Sequence, residues 1–219
     1  MEYCNYKEKS IVLGESLNAS MDNLELNKFL EENLPKELYT ECNIAFDTIY
    51  LTCDKEHISG LLVFLRDNDK FFFTILTDLM GADYLDREMR FEVVYNLLSI
   101  RKNLRVLIRT AVKENESAFS VANIFSNAVW LEREVWDMYG IDFKNSPDLR
   151  RILTDYEFEG HPLRKDFPLT GYKEVRYDDV SKKVIYEPVV LQQEYRDFDF
   201  ISPWEGPHYA MEAIKKDNK

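Results

Sequence analysis

The residues best suited to chemistry lie between Leu131 and Pro168, in the run LEREVWDMYGIDFKNSPDLRRILTDYEFEGHPLRKDFP. Glu132, Glu134 and Asp137 put carboxylates on neighbouring turns of one helical segment, with Arg133 among them. His161 sits between Gly160 and Pro162, near the basic pair Arg164–Lys165, and Arg150–Arg151 forms a second pair. Carboxylates and an imidazole are the groups of acid–base catalysis and proton relays. They are also the groups of a solvated, salt-bridged helix face. Arg133 and Asp137, a turn apart, are spaced to pair, although basic-before-acidic is the weaker order. The apolar bulk of Val129, Trp130, Trp136 and Tyr139 around the charges favours a third reading, a helix held between its own domain and a partner.

Other catalytic and binding patterns are missing. No G-x-G pair occurs, so the dinucleotide fingerprint and the phosphate loop are both absent. His57, His161 and His208 lack zinc-site spacing to each other or to a cysteine. His57 reads as structural and His208 as a solvated residue. The three cysteines, Cys4, Cys42 and Cys53, are scattered and too few to hold an iron–sulfur cluster or a disulfide framework. The arginine pairs are not a phosphate site, because Asp148, Asp155, Glu157, Glu159 and Asp166 neutralise their field. Arginine forks gripping carboxylates, in this chain or a neighbour, fit better.

Composition narrows the classes further. The 219 residues carry 40 acidic and 28 basic side chains, a net charge of -12, which excludes general binding to polyanionic nucleic acid. The apolar runs Gly60–Leu65 and Phe71–Leu76 fall far short of the roughly 18 residues of a membrane span. Glu2, Glu8 and Glu15 interrupt any basic-then-apolar targeting pattern, so the chain is expected to stay in the compartment where it is made.

The elements that must position these residues follow from periodicity. Leu26, Phe29, Leu30 and Leu34 predict a helix over Leu24–Leu34, ended by Pro35. Glu37–Asp47 and Thr48–Cys53 read as strands. Asp54 opens a second helix through Leu61, Leu62 and Leu65. Strands are predicted at Lys70–Thr77, Met89–Ser99 and Leu104–Val112, with Asp78–Glu88 as a connector. Val121–Tyr139 is the strongest helix, ended by Gly140. The expected fold is α+β: a two-layer domain, helix-β-β-helix-β-β-β-helix, with a mainly antiparallel sheet and an extended C-terminal tail. The expected divisions are an arm over 1–21, a domain over 22–140 and a partner-wrapping tail over 141–219. That tail holds six of the seven prolines and short strand candidates at Val175–Tyr177 and Lys183–Val190.

From Glu132-Arg133-Glu134-Val135-Trp136-Asp137-Met138-Tyr139-Gly140-Ile141 through Asp148-Leu149-Arg150-Arg151-Ile152-Leu153, the chain resembles the 30-kilodalton subunit (the C-type subunit; subunit 9 in some mitochondria) of proton-pumping NADH:quinone oxidoreductase, respiratory complex I. Gly160-His161-Pro162-Leu163-Arg164-Lys165-Asp166-Phe167-Pro168, Tyr186-Glu187-Pro188 and Ser202-Pro203-Trp204 extend the likeness. The resemblance implies a non-catalytic core subunit of the peripheral arm. It would brace the quinone-site large subunit (the D-type, 49-kilodalton subunit) beside other peripheral-arm subunits. FMN and iron–sulfur clusters would lie in those partners and no cofactor in this chain. The chain would touch the membrane only through the complex. It would lie at the cytoplasmic side of a bacterial inner membrane, or alternatively at the matrix side of the mitochondrial one. The expected partner interface comprises Glu132, Arg133, Glu134, Trp136, Asp137, Asp148, Arg150, Arg151, His161, Arg164, Lys165, Asp166, Phe167, Phe198, Phe200 and Trp204. Two alternatives stay open: a proton path through His161, Glu132 or Asp137, and the equivalent subunit of a related ion-pumping hydrogenase-type complex.

Overall fold

Strict alternation of apolar and polar residues builds the centre of the sheet. The computed structural model describes residues 23–46 and 48–193. In chain order the first elements are α1 (Asn23–Asn33), β1 (Glu41–Ala45), β2 (Thr48–Thr52), α2 (Ile58–Asp67) and β3 (Ile75–Asp83). They are followed by β4 (Phe91–Ser99), β5 (Leu104–Val112), β6 (Ser117–Phe119), α3 (Ala128–Tyr139) and β7 (Asp142–Lys144). Phe91, Val93, Tyr95 and Leu97 of β4 point into the core, as do Val106, Ile108 and Val112 of β5. The two strands pair antiparallel from Phe91↔Val112 to Ser99↔Leu104.

The sheet order is β1-β2-β5-β4-β3, and only the β2–β5 pairing is parallel. Ile58, Leu61, Leu62 and Leu65 of α2 join Leu30 and Leu34 of α1 and Ala128 and Val135 of α3 in one hydrophobic core with the inward strand residues. Full burial of each such side chain contributes about 1.5–3 kcal/mol. Alternate residues such as Arg105 and Arg109 stand on the opposite, solvent-facing side of the sheet. The two-layer α+β architecture is thus the expected one.

Several boundaries differ from the sequence reading, each for a local reason. The first strand covers only Glu41–Ala45, because Pro35 leads into a 3-10 turn at Lys36–Leu38. The strand predicted over Lys70–Thr77 forms later, at Ile75–Asp83. Phe71 and Phe73 are buried, and their amides donate to Asn68 and Leu65, closing α2 instead of starting a ladder. The predicted connector Asp78–Glu88 therefore shrinks to the residues after Asp83. The long helix begins at Ala128 rather than Val121: residues 121–125 form a separate turn, closed by the Ile124 and Phe125 amides on Val121 O, and the Asn127 side chain at the helix start bonds sideways to Leu76 O at 2.8 Å. Cys42 and Cys53 are free thiols. Burial, with help from Asp54, pushes the Cys53 thiol up to about 12, so it is inert as a nucleophile.

The first compact unit ends at Leu169. Residues 141–169, read from sequence as the beginning of the tail, contribute to it. Ile141 and Phe143 are core residues, and β7 pairs parallel with β6. The second unit starts at Thr170 and contains a hairpin of β8 (Lys173–Asp178) and β9 (Lys183–Pro188). Phe198, Phe200, Trp204 and the arm 1–21 lie outside the described residues.

Helix α3 lies along β3, and Gly81 makes the close approach possible. A Cβ there would lie 2.6 Å from Cδ2 and 3.2 Å from Cγ of the Tyr139 ring. Gly81→Ala is expected to destabilise the chain by about 1–3 kcal/mol through overpacking, measurable by urea denaturation. An unchanged unfolding midpoint would show that the helix–strand contact is looser than described.

Candidate partner interface

An α-helix ends with carbonyl groups that have no partner within the helix. In α3 these carbonyls are met one after another. Gly140, in the left-handed conformation at φ 73°, donates its amide to Trp136 O at 2.8 Å. The segment after Gly160 supplies the rest: His161 Nδ1 to Asp137 O at 3.0 Å, the Leu163 amide to Met138 O at 3.0 Å, and Arg164 Nε to Tyr139 O. The proline-marked turn is therefore a cap for α3.

The Asp137 side chain fastens a second segment. Its fully buried carboxylate accepts the amides of Ile152, Leu153 and Thr154 at 3.0, 2.8 and 3.0 Å. It also accepts the Thr154 hydroxyl at 2.6 Å and Arg151 Nη1 at 2.8 Å. Burial alone would raise its pKa. The Thr154 hydroxyl and the three amides outweigh that and hold it well below the usual carboxylate range. Arg133 does not pair with Asp137. It donates to the carbonyls of Arg150 and Arg151 at 3.2 Å each, and its guanidinium lies 5.0 Å from the Trp130 ring.

A third anchor lies at the end of β3. Asp83 receives a two-pronged bond from Arg90, at 2.8 and 3.0 Å, and the Lys165 amide at 2.8 Å. Arg90 continues to Glu114 at 3.0 Å and Asp166 at 2.9 Å. The Arg90 contact lowers the Asp83 pKa and raises its own.

Glu132 is buried without a cationic partner among the described residues. It accepts Ser120 Oγ at 2.8 Å as well as the Val121 amide. Burial raises its pKa against those two bonds. His161 faces a carbonyl, so Nδ1 carries the proton of the neutral ring. Burial, aided by the charges of Arg164 and Arg151, lowers its pKa against the bond to Asp137 O. It is a neutral cap near pH 7.

The structure thus brings Glu132, Arg133, Asp137, Asp148, Arg151, His161, Arg164, Lys165 and Asp166 into bonds within the chain. Trp136 is half-buried, packed edge-on to His161 with ring centroids 6.4 Å apart, and Phe167 packs on Phe158. Glu134 is exposed, and so is Arg150, which donates to Asp148 at 3.0 Å. Asp83, Arg90, Glu114 and Thr154 escaped the sequence reading because their partners are distant in the chain. Around the fastened charges stand large apolar side chains: Trp130, Leu153, Tyr156 and Leu163 are 60, 61, 80 and 51% exposed. Among the described residues no His/Cys/Asp/Glu group could hold a metal ion, and no helix is long and apolar enough to cross a membrane.

The profile of the family described as "Respiratory-chain NADH dehydrogenase, 30 Kd subunit" matches residues 51–173, from β2 through the caps of α3. The chain is 50% identical over 204 residues to the C-type subunit of NADH-quinone oxidoreductase from Rhizobium rhizogenes, covering 93% of this chain and 98% of that one. It is 54% identical over 179 residues to the protein of the same name in Agrobacterium fabrum, covering 82% of this chain and 90% of that one. Its identity to that of Bartonella quintana is 50% over 200 residues, 91% of this chain and 98% of the relative.

Asp137→Ala is expected to lower stability by about 3–5 kcal/mol, the cost of leaving a buried partner uncompensated. Acidity provides a second check. The folded-state pKa of His161 lies below its unfolded value, so the unfolded chain binds more protons as pH falls below about 6.5. Stability should therefore drop through that window and recover in part in His161→Gln, which stays neutral. Urea titrations at a series of pH values measure both effects. A pH dependence identical in the wild type and His161→Gln would remove His161 from the cap.

Proposed function

Since the chain belongs to the 30-kilodalton subunit family of the respiratory-chain NADH dehydrogenase, we propose that it is the C-type core subunit of NADH:quinone oxidoreductase and works by bracing its neighbours. One observation carries this reading. Glu132, Arg133, Asp137, Arg151, His161 and Arg164 spend their polar groups inside the chain, and beside exposed charges such as Glu134 and Glu157 the segments they fasten hold outward a rim of exposed aromatic and aliphatic groups. Large apolar side chains on a preorganised backbone are the usual anchors of a protein interface. A general acid or base needs instead a reachable proton site. Asp137 is saturated with donors, and His161 gives its Nδ1 proton to a carbonyl. The names of the relatives favour the NADH-linked complex over a hydrogenase-type one.

In finer detail, the rim would seat the large quinone-site subunit of the 49-kilodalton type. FMN and iron–sulfur clusters would belong to other subunits, and this chain would contribute no catalytic group. The complex would be attached to the inner membrane with this chain on its cytoplasmic side. The hairpin β8–β9 fits the same role. Register puts Val175 and Tyr177 on one face with Val184, and these are 57, 55 and 55% exposed. A two-stranded ribbon is at best marginally stable by itself.

Leu153→Glu combined with Tyr156→Ser is expected to reduce incorporation into the complex several-fold. Quinone reductase activity should fall in proportion, while the unfolding midpoint of the isolated chain stays unchanged. Native electrophoresis of the assembled complex reads the first effect. Normal incorporation of the double variant would overturn the assignment of the rim.

A further inference from the structure

We propose that the outer edge of β1 and the groove beside it form a strand-addition site for an extended, basic segment of a neighbouring subunit. The inference rests on the subunit reading above and assigns it a second contact, distinct from the rim around α3.

The two edges of the main sheet are treated differently. The β3 edge is engaged at Leu76, whose carbonyl accepts Asn127 Nδ2 of the α3 cap at 2.8 Å. The β1 edge is terminal in the sheet order, and among the described residues no strand pairs with its outer side. An open edge presents backbone donors and acceptors in strand register, which another extended chain satisfies best.

Next to that edge lies a groove of about 360 Å³, lined by Glu41, Asn43, Ala45, Tyr50, Thr52 and Arg109. The register explains why these meet. Glu41 lies opposite Thr52, Thr52 opposite Arg109, and Asn43 opposite Tyr50, so they share the sheet face turned away from the core. Alternate side chains of an added strand would project over this groove.

Two further features select the occupant. Phe46, directly after β1, is 93% exposed and holds φ 51°, a left-handed conformation unusual for a bulky residue. It ends the edge with an aromatic anchor. Arg109 shares Glu92 with Arg87, at 3.5 and 3.4 Å, whereas Glu41 has no ion pair among the described residues. The complementary side chain over Glu41 is therefore a lysine or arginine. A second copy of this chain is disfavoured, because each copy carries a net charge of -12.

Amide hydrogen exchange in the isolated chain and in the purified complex tests this. The amides of β1 that point away from β2 should exchange about tenfold or more slowly in the complex, as newly paired strand amides do. Carbodiimide coupling of the complex should join Glu41 to a lysine of another subunit, and Glu41→Gln should abolish that product. Unchanged exchange in an assembled complex would overturn the strand-addition site and leave the subunit reading intact. So would coupling of Glu41 only to a second copy of this chain. Absence of the chain from the purified complex would overturn both.

Discussion

The C-terminal end of α3 is the constraint around which the first unit is arranged. A helix that ends inside a protein must find donors for its last carbonyls. Here they come from residues that follow by more than twenty positions. Once His161, Leu163 and Arg164 are spent there, the path of the intervening chain is set at both ends. Asp137 secures the middle of that path by drawing the amides of residues 152–154 onto one carboxylate. A buried anion needs such a set of donors, because desolvation would otherwise neutralise it. The same bonds that keep Asp137 ionised therefore hold the loop rigid.

Function follows from what this rigidity leaves outside. The groups that cap the helix and fasten the loop face inward, and Trp130, Leu153, Tyr156 and Leu163 stand outward among exposed charges such as Glu134 and Glu157. Such a surface is unfavourable for a free chain in water and favourable for one that is always bound. The acidic balance of the chain adds a preference against self-association. A subunit of a larger complex gains from this arrangement, since its interface loses little conformational entropy on assembly.

The fold was legible where local pattern and tertiary environment agree. β5 begins and ends at the predicted residues, because its alternation matches its burial through every position. β3 was misplaced because Phe71 and Phe73 look like strand residues yet serve to close α2. The start of α3 was placed too early because the periodicity of Ile124 and Phe125 continues that of the helix. Those residues instead form a separate turn on Val121 O. The site was legible as a cluster but not as a circuit. Residues 132–137 and 150–165 stood out by composition, and their likeness to a known family was readable. That Asp137 would bind Thr154 rather than Arg133 was not, because pairing across such separations depends on the turn at Gly140 and on β7. The Asp83–Lys165 contact spans 82 positions and leaves no local signal.

The most direct test is amide exchange at Ile152, Leu153 and Thr154 in the isolated chain near neutral pH, resolved residue by residue. Strong protection there, lost in Asp137→Ala, is the expected result, because the surface is built before any partner binds. Exchange at the rate of an unstructured loop, with protection only in the assembled complex, would contradict it and make the partner, not Asp137, the organiser of this segment.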